Sequence, residues 1–162
     1  MTDEMLEDPR ITAMGLFVEA FTGVNARLNV QLAEHGLGSV DFEVLVRLAR
    51  SPGSELRMTD LAAQTGLSTS GVTRVVDRLE RDGLATRRAC PTDRRGSFTV
   101  ITPAGLAKMR DVLPGHLALI EEWFTGRLSP AELDTLLRGL RTIRDAVRPE
   151  ATSGVPAMRP AA

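Results

Sequence analysis

A short stretch of the chain combines hydroxyl and guanidinium side chains at helical spacing. Ser68 is a suitable N-cap, and at about 100° per residue the helix that follows would place an apolar row on one face. That row consists of Val72, Val75, Val76 and Leu79. The opposite face is polar and consists of Ser70, Thr73, Arg74, Asp77 and Arg81. A helix that packs one face on a domain and presents hydroxyls and long cations on the other suits base reading in the DNA major groove.

Charge is segregated along the sequence, although the net charge of the 162 residues is only −1. Residues 66–110 contain nine Lys and Arg against four Asp and Glu, a net charge of +5 that leaves −6 for the remainder. A basic surface on an acidic body suits a polyanionic partner. The charge distribution therefore favours a polyanionic partner, and together with the helix described above it predicts double-stranded DNA.

The elements around this stretch predict a winged helix-turn-helix. A brief helix capped by Thr59 and closed by Gly66 precedes the turn, and the next helix ends near Gly83. Strands are predicted at 84–88 and 97–101. The loop between them contains Pro91, Asp93, Arg94, Arg95 and Gly96. The expected fold is mainly α with a small β-hairpin wing.

Long apolar rows flank this unit. Residues 9–35 predict one amphipathic helix, Ser39 is expected to cap a second, and residues 103–148 predict two more. These rows exceed what one small winged domain can cover, so we expect the terminal helices to form a dimerisation region with a second copy. The DNA-binding domain is expected at 39–102. The segment 149–162 lacks periodicity and is expected to be a disordered tail.

Residue types that support catalysis or metal binding are scarce. The chain has two separated histidines, one cysteine and no tyrosine, and it lacks a P-loop, an HExxH motif and a dinucleotide-binding glycine motif. We therefore expect no enzyme activity, no metal and no cofactor. The sequence contains no run of about 18 apolar residues, and its N-terminus is acidic. These features predict a cytoplasmic protein without a membrane span.

Three motifs carry a family resemblance: MTDLAAQTGLSTSGVTRVVDRLERDGL at 58–84, PTDRRG at 91–96 and VITPAG at 100–105. With them, the chain resembles the multiple-antibiotic-resistance regulator (MarR) family of bacterial transcription factors over nearly all of residues 11–147. The resemblance implies a homodimeric regulator that binds a pseudo-palindromic operator and is often released by a small aromatic ligand. We expect this member to be a repressor.

The resemblance also implies roles for individual residues. The recognition-helix residues expected to reach bases and phosphates are Ser68, Thr69, Ser70, Thr73 and Arg74. In the wing, Arg95 is expected to enter the minor groove, Asp93 to orient it and Arg94 to add a second cation. An effector pocket between the dimer helices and the winged domain is expected near Phe17, Phe21, Arg27 and Phe42.

Other arginines have competing interpretations. Arg78 is at most a phosphate contact, because it and Arg81 can instead pair with acids on their own helix, namely Asp77, Glu80 and Asp82. Arg87 and Arg88 face opposite sides of a strand, so one of them is expected to form a salt bridge with the body of the domain.

Two alternative functions fit parts of the sequence. A dimeric protein-interaction module without DNA binding would predict a neutral wing, against which Asp93, Arg94 and Arg95 argue. A thiol-based redox sensor would act through Cys90, whose thiolate the neighbouring arginines would favour. The oxidation-sensing members of the family, however, carry their reactive cysteine in the first helix, where this chain has none.

Overall fold

The protein folds as a helical body with a small antiparallel sheet beside a helix-turn-helix. The computed structural model describes residues 5–90 and 93–152, and for residues 93–95 it describes the backbone alone. The helices are α1 (Pro9–Glu34), α2 (Ser39–Arg50), α3 (Met58–Thr65), α4 (Thr69–Arg81), α5 (Pro103–Trp123) and α6 (Pro130–Val147). The strands are β1 (Glu55–Arg57), β2 (Ala85–Cys90) and β3 (Asp93–Ile101). Short 3₁₀ turns cover Pro52–Ser54, Thr125–Arg127 and Pro149–Thr152.

The caps of α2 and α3 differ by one or two residues from the sequence-based prediction. Ser39 is already the first residue of α2, and Gly38 is the N-cap without a side-chain bond. Thr59 lies inside α3, whose N-cap is the extended Arg57. Both predictions were wrong, because each helix begins at or before the residue expected to cap it; β1, for example, ends at Arg57, the α3 cap.

The turn between α3 and α4 agrees with the prediction. Gly66 closes α3 with a left-handed backbone, φ +69°, which favours glycine. The Ser68 hydroxyl accepts a hydrogen bond from the Gly71 amide at 3.1 Å. Local capping chemistry is therefore sufficient to define where the second helix of the pair starts.

The sheet has the strand order β1-β3-β2, with both pairs antiparallel. Leu56 lies opposite Thr99, and Arg88 lies opposite Phe98. β3 starts at Asp93, four residues before the predicted start at 97, so the DRRG segment belongs to a strand instead of a loop. That prediction was wrong because the segment has little intrinsic strand preference, and its conformation follows from pairing with β2.

One apolar core joins α2, α3, α4, the sheet and the first half of α5. Its largest completely buried side chains are Val44, Leu45, Leu48, Leu61, Val72, Val76, Leu79 and Val112. The glycine of the TPAG motif has a steric role here: a Cβ on Gly105 would lie 2.1 Å from the Leu84 carbonyl oxygen. Only glycine lets the start of α5 approach the end of the helix-turn-helix this closely.

The last helix, α6, contributes no buried side chain to this core. α6 starts with a capping box between Ser129 and Glu132, yet none of its residues is buried. Pro149–Thr152, the first part of the segment predicted to be a disordered tail, forms a 3₁₀ turn, so the prediction was wrong there. Residues 153–162 of that segment lie outside the described part of the chain. None of the helices in residues 5–90 and 93–152 is long and apolar enough to cross a bilayer.

Candidate nucleic-acid interface

α4 presents a polar face to solvent while its apolar face is buried. The predicted row is confirmed, since Val72, Val75, Val76 and Leu79 are at most 5% exposed. Thr69, Ser70 and Arg74 are exposed, and Thr73 is half-buried. The exposed side chains occupy the first turns of the helix, where side chains of a recognition helix contact base edges.

The hydroxyls at the start of α4 are partly engaged with each other. The Ser68 and Ser70 oxygens are 3.1 Å apart. Thr73 donates to the Thr69 carbonyl at 2.8 Å, which leaves its hydroxyl oxygen as an acceptor on the surface. These residues can therefore exchange hydrogen bonds with a polar ligand without breaking the helix.

Arg74 has no partner among the side chains that the structure describes. Within residues 5–90 and 96–152, no hydrogen bond or ion pair engages its guanidinium. Its five N–H donors can therefore engage a ligand without first losing a protein contact. Arg81, at the other end of the helix, lies 3.9 Å from Asp82 and is largely exposed.

Arg78 has a partner on another helix. Its Nε and Nη2 donate to the Asp41 carboxylate of α2 at 3.0 and 2.5 Å. The Asp41 side chain is only 12% exposed, and this carboxylate raises the pKa of Arg78. The alternative of a salt bridge for Arg78 thus holds with a different partner: the pair joins α4 to α2 and does not involve an acid of its own helix.

Both strand arginines are also paired, although only one was expected to be. Arg87 binds Glu80, and its Nη2 lies 2.7 Å from Asp77 Oδ1, so β2 is tied to α4. Arg88 binds Glu55 at 2.6 Å and stacks over Phe98, 4.7 Å from the ring centroid. Intramolecular ion pairs thus reduce the number of cations that can engage DNA.

The basic segment of the wing lies in a strand. Asp93, Arg94 and Arg95 form the start of β3, with Asp93 paired to Cys90 across an irregularity in the ladder. The side chains of these three residues lie outside the described part of the structure. Between the hairpin and the helices lies an open cleft of about 350 Å³, lined by residues of α3, α4, β2 and β3 that include Thr59, Thr73 and Ser97.

This arrangement is shared with known transcriptional regulators. The sequence model of the MarR family matches residues 35–96. The HTH-type transcriptional regulator MhqR of Bacillus subtilis is 32% identical over 124 residues, which cover 76% of this chain and 83% of the relative. The chain belongs to the MarR family. Members of this family are transcriptional regulators and not enzymes.

Solved MarR structures have the same fold. AbsC of Streptomyces coelicolor superposes with a TM-score of 0.82 at 35% identity, covering 88% of this chain and 96% of AbsC. Sco3205 of Streptomyces coelicolor, whose structure is a complex with DNA, also gives a TM-score of 0.82 at 29% identity, covering 100% of this chain and 95% of Sco3205. The predicted winged helix-turn-helix of MarR type is therefore confirmed.

The residues predicted for an effector pocket of this MarR protein lie in separate environments. Phe17 and Phe21 are exposed on α1. The Arg27 guanidinium stacks on Trp123, 4.2 Å from the ring centroid. Phe42 packs against His116, with 4.4 Å between the ring centroids. None of the four lines the cleft beside α4 or the shallow cavity along Arg10 to Val18 of α1.

Cys90 is buried at the base of the wing, with 7% of its surface exposed. Reactive cysteines are usually accessible to solvent and lie in electropositive surroundings. The burial of Cys90 therefore argues against the redox-sensing alternative for this MarR protein.

Sequence reasoning missed Asp41, the α2 residue that pairs with Arg78 of the recognition helix. It lies four and seven residues before Leu45 and Leu48, both completely buried, so helical spacing puts a carboxylate on the core face of α2. A carboxylate in such a position needs a cationic partner. This signal was present in the sequence, but it did not identify the partner.

Proposed function

We propose that this MarR-family protein is a homodimeric repressor that binds a pseudo-palindromic operator in double-stranded DNA. The observation that carries the proposal is the Arg74 guanidinium on the exposed face of α4, which has no partner among the described side chains. The proposal fits the net positive charge of residues 66–110. A repressor of this kind acts by occupying promoter DNA that the polymerase needs.

A second copy of the chain explains the exposed apolar surface of the terminal helices. On α1, Phe17 is 53% exposed and Phe21 is 61% exposed. On α6, Ile143 is 57% exposed and Val147 is 70% exposed, although the sequence of that helix is amphipathic. Soluble proteins rarely leave such apolar rows uncovered, and a two-fold dimer buries the same surface of both chains.

In the proposed complex, each α4 enters a major groove and each wing reaches the adjacent minor groove. Ser68, Thr69, Ser70 and Thr73 supply hydroxyls to bases and phosphates, and Arg74 supplies a bidentate donor for guanine. Arg95 enters the minor groove with Asp93 and Arg94 beside it, a role that rests on the family resemblance. Arg78 orients the helix through its pair with Asp41, and we assign it no phosphate contact.

We also propose a small aromatic effector, held between the dimer helices and the winged unit near Phe17, Phe21, Arg27 and Phe42. The proposal rests on the family resemblance and on the exposed aromatic rings of Phe17 and Phe21 on α1. A set of phenolic and carboxylic aromatics should contain compounds that raise the melting temperature and lower DNA affinity. If no compound in a broad set does either, the effector is rejected.

Selection of bound sequences from a random duplex pool tests DNA recognition directly. We expect an inverted repeat with half-sites about 10 bp apart, because two symmetric recognition helices enter successive major grooves. Sedimentation of the free protein should give a dimer at micromolar concentration. A monomer, or selection of a single asymmetric site, would contradict the proposal; repression itself is checked by transcription from a promoter overlapping the selected site.

A further inference from the structure

The short segment that follows α6 returns to the helix-turn-helix. α6 has no buried residue along its length, but the 3₁₀ turn that follows it, Pro149–Thr152, packs against α3. The described contacts of α6 with the winged unit, which extends from α2 to β3, are therefore concentrated at its C-terminal end.

Arg148 makes the first half of the contact. Its Nη2 donates to the Gln64 carbonyl oxygen at 3.1 Å. The same guanidinium lies over Gly66, where an added Cβ would come within 2.7 Å of Nη2. Arg148 thus sits directly on the turn that joins α3 to the recognition helix α4.

Arg47 of α2 makes the second half. Its Nη1 donates to the Ala151 carbonyl oxygen at 3.0 Å and to the Gln64 side-chain oxygen at 3.2 Å. Its other nitrogens hold Glu43, with Nη2 2.7 Å from Oε1. Gln64 is only 2% exposed and is bonded by both arginines, through its side chain and its backbone. We call Arg47, Gln64, Arg148 and Ala151 the C-terminal clasp.

We infer that the C-terminal clasp sets the position of the recognition helix relative to α6, and thereby the separation of the two recognition helices in the dimer. The inference rests on the proposed function, in which α6 is part of the dimer interface. If α6 is fixed against the partner, then a bond from its end to the α3–α4 turn fixes α4 against the partner's α4. Arg47 and Arg148 are positioning residues, since they act on DNA only through that turn.

The clasp adds a restraint that the covalent connections do not supply. The winged unit is joined to the terminal helices by the α1–α2 turn, which contains Gly36 with φ +70°, and by Thr102 before α5. The first half of α5 also packs into the core of the winged unit, whereas α6 has no buried residue. The clasp therefore supplies the attachment of the α6 end to the α3–α4 turn, and hydrogen bonds from charged donors are among the stronger ones.

The variant Arg148→Ala tests the inference on the full chain. Arg148 is exposed, so its loss creates no cavity. Arg144→Ala is the matched control, because it removes the same charge from the last turn of α6 and its guanidinium bonds only Asp145 among the described residues. Arg148→Lys retains a cationic donor and should restore part of the effect.

Affinity is measured on operators whose half-sites are separated by the selected spacing or by one to three additional base pairs. Wild type and Arg144→Ala should lose much affinity with each insertion. Arg148→Ala should bind the operator with the selected spacing roughly 5- to 10-fold less tightly, as expected for a coupling of modest size. Its ratio of affinities between the selected and the lengthened operators should be smaller than that of wild type by about the same factor. A merely structural role would lower affinity equally at every spacing.

A second measurement needs no DNA. Arg50 is exposed at the end of α2, so the variant Arg50→Cys offers a site for a spin label. Cys90→Ala removes the other cysteine, so that labels on the two chains of a dimer report the distance between their winged units. The distance distribution should be broader with Arg148→Ala than with Arg144→Ala.

The outcomes separate this inference from the proposed function. An Arg148→Ala protein with the wild-type spacing profile and the wild-type distance distribution overturns the clasp alone. A wild-type protein that binds no DNA, or that is a monomer, overturns the proposed function and the clasp with it.

Discussion

The Arg78 guanidinium on the recognition helix forms a bidentate ion pair with the Asp41 carboxylate on α2. The two residues are 37 positions apart in the sequence. The Asp41 side chain is 12% exposed and that of Arg78 is 41% exposed, so the pair sits at the edge of the core. An arginine on the polar face of α4 thus serves to hold the helix in place.

We expect this pair to stabilise the fold measurably. Asp41→Ala should lower the free energy of unfolding by about 1–2 kcal/mol, since it leaves a charged hydrogen-bonding group without its partner, although exposure of Arg78 moderates the loss. A double-mutant cycle with Arg78→Met should yield a coupling energy of the same order. The exposed pair Arg138–Asp134 is the control and should couple by no more than about 0.5 kcal/mol. Equal coupling energies in the two cycles would show that burial gives the Asp41 pair no advantage.

Arg74 should read a base. Arg74→Ala is expected to cost about 1–3 kcal/mol of binding free energy per half-site and to relax preference at one symmetric position, because a bidentate contact to guanine is lost. Affinities for the selected site and its single-base variants measure this. Arg78→Met is the comparison: it should weaken binding without changing the slope of log K against log salt. An equal loss on all sequences for Arg74→Ala would assign that residue to phosphate instead.

Arg95 should contribute affinity with little base selectivity. A guanidinium in the minor groove senses groove width and negative potential, but A·T and T·A present the same acceptors there. Arg95→Ala should therefore weaken binding to all operator variants and reduce the salt slope by about one for each phosphate-like contact, or about 2 per dimer. Salt titrations of wild type and variant check this, and a change of preference at a single base pair would contradict it.

His116 should make stability depend on pH. Burial lowers the pKa of His116 because desolvation penalises the charged imidazole. Its Nδ1 lies 3.0 Å from the Gln31 side-chain oxygen of α1, and Gln31 donates in turn to the Val112 carbonyl. The neutral ring with a proton on Nδ1 satisfies both bonds.

The unfolded chain therefore takes up a proton at higher pH than the folded chain. The contribution of His116 to stability is complete above about pH 6.5 and falls as the pH drops, by up to about 1.4 kcal/mol per pH unit, until the folded-state pKa is reached. Denaturant unfolding at several pH values measures the slope. His116→Gln should flatten the slope below pH 6.5, whereas His35→Gln should leave the His116 contribution in place; an unchanged slope for His116→Gln would refute the prediction.

The sequence alone determined the features that depend on local interactions. The apolar row of α4, the Ser68 cap and the left-handed Gly66 follow from contacts within a few residues, and all three agree with the structure. The order of helices and the motifs in the turn and wing were sufficient to identify the MarR fold. Strand limits were less certain, because β3 extends to Asp93 only through pairing with β2.

Only the tertiary structure decided which cations remain available for DNA. Arg74, Arg78 and Arg87 are similar in a sequence, yet Arg78 pairs with α2, Arg87 pairs with acids of α4, and the described residues offer Arg74 no partner. The contact of Arg148 with Gln64 likewise joins residues 84 positions apart. Ion pairs and hydrogen bonds depend on distances of a few ångströms between side chains, and for residues distant in sequence these distances are set by how the elements pack.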